Sequence, residues 1–294
     1  MLPNGTIIKS ERFVPHAYES LAVSDQQNIN PDRYVGYTNW YNALTSAQVS
    51  KITYMSDGLQ VVGLIAQPTT SAGKLPVVIY NRGGSNDDGK INVTTIKNMI
   101  HPLVQAGYIV VASQYRGNDG GQGKDEGAGA DVNDVLALFE TINRLPNADT
   151  NNIFMVGYSR GAMNSYCALK AGLQVNAIAV MAGVADLVEL CQMRPPVKLI
   201  MESMIPNSSA DYDAACKKRS VMFWPEAVNA PLLLLHGAAD QIIDVSQSQQ
   251  LAKKLDNLGK PYHLIIFQEC DHFFGKFRDV CAQEIIKWFA HYKK

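Results

Sequence analysis

Ser159 stands in a pattern that is typical of a catalytic nucleophile. It is the central residue of Gly157-Tyr158-Ser159-Arg160-Gly161, which follows an apolar, β-branched run and precedes a run of good helix formers. A G-x-S-x-G pattern between a strand and a helix indicates a nucleophile elbow, a sharp turn that projects the serine hydroxyl clear of the sheet. The helix that begins there would point its unpaired N–H groups at the same place, where they would stabilise an anion.

A serine hydroxyl becomes a good nucleophile when a base takes its proton and an acid holds that base. In open α/β sheets such groups lie on loops at the carboxyl ends of strands. Asp240 comes shortly after the apolar run Leu232–Leu235, and His272 comes shortly after His263–Phe267. The order Ser, Asp, His is that of the α/β-hydrolase triad. The sequence therefore predicts Ser159 as nucleophile, Asp240 as acid and His272 as base.

Four nearby polar residues are alternatives for the acid, the base or the nucleophile. Asp244 is expected inside or at the cap of the following helix. Asp271 adjoins His272, but neighbouring side chains rarely point in one direction, so it is expected in a loop or cap role. His236 lies at a strand end and is expected to be a structural, hydrogen-bonded histidine. Cys270 has no base of its own and is expected to pack in its loop.

Backbone N–H groups at two places could hold the oxyanion of a tetrahedral intermediate. One is the N–H of Arg160, directly after the serine. The other is expected from the pair Gly83-Gly84 after an early strand, with Gly84 preferred, because glycines allow close approach of the backbone to a substrate. An ordinary turn is the alternative for this glycine pair.

The aromatic residues Tyr158, Phe223, Trp224 and Phe273 are candidates to line an apolar pocket for the acyl or alcohol part of a substrate. The alternative for each is a place in the core. A further loop, Gln114–Gly121, lacks the Gly-Lys-Ser/Thr ending of a phosphate loop. We expect a structural loop there, braced by Arg116 against Asp131 or Asp134.

Strands and helices alternate along most of the chain. Two β-rich runs, Lys51–Met55 and Leu59–Ala66, flank the turn signal Ser56-Asp57-Gly58. Buried strands are predicted at Pro76–Tyr80, Tyr108–Ser113, Ile153–Gly157, Ala177–Met181, Leu232–Leu235 and His263–Phe267. Helices are predicted at Ile91–Ala106, Asp131–Arg144, Ala162–Ala171, Ser246–Leu258 and Gly275–His291. This alternation predicts an α/β fold, a mostly parallel sheet of about eight strands with helices on both faces.

Two segments depart from this alternation. Residues 1–50 are polar with scattered aromatic residues and one helix candidate near Pro31–Ser46. We expect an N-terminal extension packed on the catalytic domain 51–294 through Trp40 and Tyr41, and a substrate-facing role is the alternative for these two residues. Residues 187–220 interrupt the later part of the domain. Short helices over the rim of the site are one interpretation of this excursion, and a surface decoration is the other.

Composition excludes several classes of function. The 294 residues carry a net charge of −1, which does not indicate a nucleic-acid partner. No apolar run approaches the length of a membrane span, and the six scattered histidines form no metal-ligand pattern. We expect neither metal nor cofactor. The five widely spaced cysteines are expected to be reduced and mostly buried, which favours a cytoplasmic location. The sequence leaves a homo-oligomer open.

Taken together, these motifs resemble the catalytic domain of the prolyl-oligopeptidase family of serine hydrolases, which includes acylaminoacyl and dipeptidyl peptidases. The likeness runs from Lys51 to the C-terminus, and its motifs are Gly157–Gly161, Tyr115-Arg116-Gly117, Lys218-Arg219-Ser220 and Leu233–Asp240. It implies an α/β-hydrolase fold with Ser159, Asp240 and His272 as the triad. Arg82-Gly83-Gly84-Ser85 stands where the family usually has His-Gly-Gly-Pro. Residues 1–50 are also too few for the family's β-propeller.

We therefore expect a serine hydrolase that cleaves carboxylic ester bonds of small substrates through an acyl-enzyme. The alternative is a serine peptidase of the aminopeptidase, acylaminoacyl peptidase or dipeptidyl peptidase type, acting on short peptides. A carboxylate such as Glu202 or Asp211 near the site would favour a peptidase, because it could bind a substrate ammonium group. A non-catalytic binding protein on the same fold is a remote alternative, which reaction of Ser159 with a fluorophosphonate would exclude.

Overall fold

The computed structural model describes residues 2–18, 21, 26–27, 29–206 and 208–294, with the backbone alone for 208–210. Its strands are β1 (Ile7–Arg12), β2 (Ala47–Ser56), β3 (Leu59–Pro68), β4 (Leu75–Asn81), β5 (Ile109–Ser113), β6 (Ala148–Tyr158), β7 (Ala177–Met181), β8 (Leu232–Gly237) and β9 (Tyr262–Phe267). These nine strands form one sheet in the order β1-β2-β3-β5-β4-β6-β7-β8-β9.

Apart from α2, which is irregular, the helices are α1 (Pro31–Asn42), α3 (Val132–Ile142), α4 (Gly161–Lys170), α5 (Leu187–Met193), α6 (Pro195–Met204), α7 (Ser208–Arg219), α8 (Ser246–Asn257) and α9 (Arg278–His291). Between α1 and α3, the helical segment α2 consists of Val93–Thr95, a π-helical turn at Ile96–Ile100 and His101–Gln105. Short 3₁₀ turns occur at Val221–Phe223, Pro225–Ala227 and Gly275–Phe277.

Strands β4 to β9 are parallel to one another, and β1, β2 and β3 join them through antiparallel pairs. The predicted α/β-hydrolase class is therefore confirmed. The predicted β2–β3 hairpin is also present, and Asp57 and Gly58 at its turn have φ values of 51° and 77°. Positive φ at both positions is what a tight two-residue hairpin turn requires.

Both faces of the sheet are covered, as the continuous apolar strands predict. Strand β6 illustrates this burial on both faces, because Phe154 and Val156 belong to one core cluster and Met155 belongs to the other. Successive strand residues point to opposite faces. One face packs against α3, α4 and α8, and the other against α1, α2 and α9. The strand that carries the nucleophile candidate is thus fixed from both sides.

The described residues of the two irregular segments contain regular elements. Within residues 1–50, β1 pairs with β2 at the sheet edge, and the hydroxyl of Tyr41 donates to the carbonyl of Phe13 at 3.0 Å. Trp40 packs edge-on against His101 of α2. Residues 187–219 contain α5, α6 and α7. The domain boundary near residue 50 stays a prediction. No helix in the described part of the chain is long and apolar enough to span a membrane.

Candidate active site

Ser159 occupies a strained turn between β6 and α4. Its φ is +54°, a left-handed conformation that is uncommon for residues other than glycine. Gly157 and Gly161 flank the turn where backbones crowd. A Cβ at Gly157 would lie 2.6 Å from Ser165 Oγ, and a Cβ at Gly161 would overlap the backbone of Asn81. The glycines are required because strand, turn and helix meet without room for side chains.

Ser159, His272 and Asp240 form one hydrogen-bonded chain. His272 Nε2 lies 3.0 Å from Ser159 Oγ, and His272 Nδ1 lies 2.8 Å from Asp240 Oδ2. A carboxylate only accepts hydrogen bonds, so the imidazole proton resides on Nδ1 and the Nε2 lone pair faces the serine hydroxyl. This tautomer is the one that a general base for Ser159 requires. The structure brings together the three side chains that the sequence predicted.

Asp240 is buried and held by several donors. Its Oδ1 accepts the backbone N–H groups of Ile242 and Ile243 at 2.8 and 2.9 Å. Burial raises the pKa of Asp240, but hydrogen bonds from His236 and His272 outweigh burial and hold this pKa well below the ordinary aspartate value. The carboxylate is therefore ionised throughout the pH range in which proteins are stable.

His236 supports Asp240 but does not contact the nucleophile. Its Nε2 lies 2.9 Å from the carbonyl of Ile243 and 3.3 Å from Asp240 Oδ2, and its Nδ1 lies 2.7 Å from Ser248 Oγ. Both neighbours of Nε2 are acceptors, so Nε2 carries the proton and Nδ1 accepts from the serine hydroxyl. The prediction of a structural, hydrogen-bonded histidine is confirmed.

The glycine pair after β4 lies at the site, with the two glycines in different positions. A Cβ added to Gly83 would lie 3.0 Å from Ser159 Cβ and 3.2 Å from the carbonyl oxygen of Tyr158. Gly84, at φ +69°, instead backs onto Asp88 and Gly89. Gly83 is therefore the residue whose backbone is packed against the serine, although the sequence analysis preferred Gly84.

Arg82 fixes this glycine loop, a role that the sequence did not indicate. Its buried guanidinium donates to the carbonyls of Gly83, Asn86, Asp88 and Gln114 at 2.7 to 3.1 Å. Burial lowers the pKa of Arg82 to about 10, so the side chain still carries its charge at neutral pH. Because Gln114 follows β5, Arg82 ties the loop after β4 to the loop after β5.

Two of the four predicted aromatic residues lie beside the triad. The Tyr158 hydroxyl donates to the backbone carbonyl of His272 at 3.0 Å, and its ring centroid is 5.5 Å from that of His272. Phe273 also places its ring 5.5 Å from His272, and it is 37% exposed. Tyr158 thus contacts the loop of the base, and Phe273 offers an open apolar surface next to it.

The other two aromatic residues pack among helices. Trp224 lies 4.2 Å from the ammonium of Lys170, the last residue of α4, whereas Ser159 precedes the first residue of that helix. Phe223 is half exposed, with the Lys217 ammonium 5.7 Å from its ring. Trp224 lies in the hydrophobic core, which is the alternative named for it, and the pocket role of Phe223 stays a prediction.

A buried charge cluster lies beneath the nucleophile. The side chain of Arg160 points inward, with Nη1 2.8 Å from Asp125 Oδ2 and Nη2 3.6 Å from Asp131 Oδ2. Burial raises the pKa of Asp125, but Arg160 outweighs burial and keeps this pKa below the ordinary value. Arg219 of α7 donates to the carbonyls of Glu126 and Gly127 in the same loop. The helices of residues 187–219 are thereby linked to the residue that follows Ser159.

The loop after β5 is braced as predicted, with one of the two proposed partners. Arg116 pairs with Asp134 at 2.8 Å and with Asp57 at 2.9 Å, whereas Asp131 pairs with Arg160.

Among the residues that the structure describes, no group of three or more His, Cys, Asp or Glu side chains is placed to hold a metal ion.

Comparisons with known proteins point to one family. The model of the prolyl oligopeptidase family matches residues 94–294. The chain is 30% identical over 224 residues to the uncharacterized peptidase YtmA of Bacillus subtilis, a match that covers 76% of this chain and 85% of that protein. The fold is similar to that of the acylaminoacyl peptidase of Pyrococcus horikoshii, with a TM-score of 0.70 at 20% identity over 87% of this chain.

A second solved structure also has a similar fold. Dipeptidyl peptidase 4 of Porphyromonas gingivalis matches 86% of this chain with a TM-score of 0.69 at 19% identity. The chain spans only 43% of the Pyrococcus enzyme and 37% of the Porphyromonas enzyme. At these identities the two structures show that the fold is shared.

Proposed function

The chain belongs to the prolyl oligopeptidase family, and from that membership we propose that it is a serine peptidase that cleaves short peptides through an acyl-enzyme. The observation that carries this proposal is the chain of hydrogen bonds from Ser159 through His272 to Asp240, at 3.0 and 2.8 Å. Both distances lie within the range that proton transfer in a triad needs.

In the first half of the reaction, His272 Nε2 takes the proton of Ser159 as Oγ bonds to the carbonyl carbon of the substrate. The oxyanion accepts hydrogen bonds from the N–H of Arg160 and from the glycine loop, where we now favour Gly83. Asp240 stabilises the imidazolium that forms. When the tetrahedral intermediate collapses, the C–N bond breaks and the amine leaves with the proton from His272.

In the second half, water attacks the acyl-enzyme and His272 takes its proton. The acyl carbon then releases Ser159 Oγ, which recovers a proton from the imidazolium, and the carboxylic acid product leaves. The same steps cleave esters, whose leaving groups need less help from the acid. Ester cleavage is therefore expected as an accompanying activity, and it does not by itself distinguish an esterase from a peptidase.

Family membership favours a peptide substrate over the small ester that the sequence analysis preferred. The three relatives described above are named as peptidases, and among the described residues no feature of the site favours an alcohol as leaving group. A non-catalytic binding protein is disfavoured because the strained φ of Ser159 and the aligned imidazole would serve no purpose in it.

The substrate class is tested by comparing kcat/KM for aminoacyl and N-acetylaminoacyl p-nitroanilides with kcat/KM for p-nitrophenyl acetate. We expect the wild type to turn over at least one anilide series, and Ser159→Ala to lose about 10³-fold or more on every substrate. Rapid ester cleavage with no anilide cleavage would show that the protein is an esterase and would overturn the peptidase proposal.

A further inference from the structure

Two cysteines meet between α5 and α7, outside the candidate active site. The thiols of Cys191 and Cys216 are within hydrogen-bonding reach of each other. The hydroxyl of Tyr212 lies 3.3 Å from Cys191 Sγ. Both cysteines are buried and reduced. They come from different helices and are separated by 25 positions in the chain, so tertiary packing brings them together.

A cavity gives small molecules access to this pair. Cys191 and Cys216 both line a cavity of about 340 Å³, together with Tyr212, Lys198 and Asp213. This volume is sufficient for a peroxide. The pair therefore combines two features that a reactive dithiol needs, which are sulfur atoms close to each other and a path for the oxidant.

The surroundings give the two thiols different reactivities. The hydrogen bond from Cys216 lowers the pKa of Cys191 to about 7, and Tyr212 and Lys198 act in the same direction. The same bond raises the pKa of Cys216. Burial raises the pKa of Cys167 and of Cys281 to about 12. Since the thiolate is the reactive form, Cys191 is the first of these sulfurs to react.

We propose that Cys191 and Cys216 form a redox-active dithiol, which a peroxide closes to a disulfide and a thiol reductant reopens. In the first step the Cys191 thiolate bonds to one peroxide oxygen, the O–O bond breaks, and hydroxide leaves, which converts Cys191 to a sulfenic acid. In the second step Cys216 attacks Cys191 Sγ, the S–O bond breaks, and water leaves. The hydroxide takes up the proton that Cys191 lost on ionisation, so with hydrogen peroxide the two thiols are oxidised by two electrons and the peroxide is reduced to two waters.

The disulfide would connect α5 to α7, the helix whose last residue, Arg219, holds the loop of Glu126 and Gly127. It would also close the loop between residues 191 and 216 in the unfolded chain, which favours the folded state. We therefore expect the oxidised protein to unfold at a higher temperature than the reduced protein. This inference does not depend on the proposed peptidase function.

The test is mass spectrometry of the wild-type protein before and after one equivalent of hydrogen peroxide. We expect a loss of about 2 Da, for two hydrogens, a cross-linked peptide that contains Cys191 and Cys216, and full reversal by dithiothreitol. Cys191→Ser and Cys216→Ser should abolish the loss, and Cys281→Ser should retain it. The wild-type peptide map decides the question even where a variant folds poorly.

Three results would overturn the proposal: a gain of one or more oxygens on Cys191 without loss of hydrogen, a disulfide between another pair, or no reaction. A second measurement follows alkylation by iodoacetamide at pH 7. The proposal requires Cys191 to be labelled before Cys167 and Cys281, and labelling in the opposite order would contradict it.

Discussion

Asp240 is held by hydrogen-bond donors on both of its carboxylate oxygens. Oδ1 accepts hydrogen bonds from the N–H groups of Ile242 and Ile243. Oδ2 accepts a hydrogen bond from His272 Nδ1 and lies 3.3 Å from His236 Nε2. These donors fix the carboxylate in one position and keep its pKa low. The imidazole of His272 thus faces a carboxylate that is held in place and ionised at neutral pH.

Replacing Asp240 by asparagine should lower kcat/KM by about 10³- to 10⁴-fold, because the amide can donate to Nδ1 and so favours the wrong imidazole tautomer. Steady-state kinetics on the best substrate measures this loss. Asp244→Asn is the matched control, since Asp244 lies four positions away, is exposed, and bonds the N–H and the side chain of Ser246. Similar activities of the two variants would contradict the assignment of Asp240.

Tyr158 positions the loop of the base through its hydrogen bond to the carbonyl of His272. Tyr158→Phe should lower kcat about five- to tenfold, for the loss of about 1 kcal/mol of positioning, and leave KM nearly unchanged. Tyr41→Phe loses a matched bond of 3.0 Å to the Phe13 carbonyl, far along the chain from the triad, and should keep its kcat. A rise in KM with constant kcat would instead place Tyr158 in the substrate pocket.

The sequence could predict the meeting of Ser159, Asp240 and His272 because each follows a recognisable strand, and the order of strands in this class of sheet brings their carboxyl ends together. Side-chain partners were harder to predict. Tyr158 bonds a carbonyl 114 positions away, and Arg82 bonds the carbonyl of Gln114, 32 positions away. Such contacts depend on the loop conformations, for which no local pattern exists.

At the scale of elements, the loop after β4 packs directly against the serine. Gly83 packs against Ser159 and Tyr158, while Gly84 makes the turn toward Asp88. Arg82 holds the loop by donating to the carbonyls of loop residues. Because these bonds use the carbonyls, the backbone N–H groups of the loop are the donors we propose for a substrate. The proposed division is that Gly83 serves the oxyanion and Gly84 serves the turn.

If Gly83 serves the oxyanion and Gly84 serves the turn, replacing each glycine by alanine should have a different effect. Gly83→Ala should lower kcat/KM by about tenfold or more with little loss of thermal stability, since its Cβ would crowd Ser159 and shift the oxyanion donor. Gly84→Ala should mainly lower the unfolding temperature, because its φ of +69° disfavours alanine. Gly36→Ala, in α1 with no atom within 4 Å, is the control. It should leave kcat/KM unchanged and should not lower the unfolding temperature, because alanine is favoured over glycine inside a helix. Equal activity of Gly83→Ala and wild type would contradict the division.

Most of the buried parallel strands were predicted within two residues because their apolar runs are continuous. Strand β6 begins at Ala148, five residues before the predicted Ile153, in a stretch that is mostly polar. Strand β1 was not predicted, since it lies at the sheet edge and exposes five of its six residues, which removes the alternation that marks a strand. Helix α1 ends at Asn42 instead of continuing to Ser46. Edges and ends are set by tertiary contacts, so they are the parts that local patterns define least well.

At the scale of the whole molecule, the catalytic loops depend on a sheet that is packed from both sides. Phe154 of β6 stacks on Phe289 of α9 with ring centroids 4.6 Å apart, and Tyr108 packs edge-on against both. This aromatic cluster joins the C-terminal helix to the nucleophile strand, on the face of the sheet opposite to α4.

Phe289→Ala should lower the free energy of unfolding by about 3–5 kcal/mol, through lost burial and the cavity that remains. Denaturant unfolding measures the change, and kcat/KM below the melting transition should stay near the wild-type value because the triad is untouched. Val280→Ala is the control, since Val280 lies on the same helix and is 42% exposed. A large loss of activity in folded Phe289→Ala would show that the helix contributes to the site directly.

The most direct test of the central claim, that Ser159 is an activated nucleophile, is covalent labelling with a fluorophosphonate followed by peptide mapping. We predict one adduct per chain on Ser159 in the wild type, no adduct in Ser159→Ala, and labelling slowed by orders of magnitude in His272→Ala. An unlabelled wild-type protein, or equal labelling of the wild type and Ser159→Ala, would contradict the account.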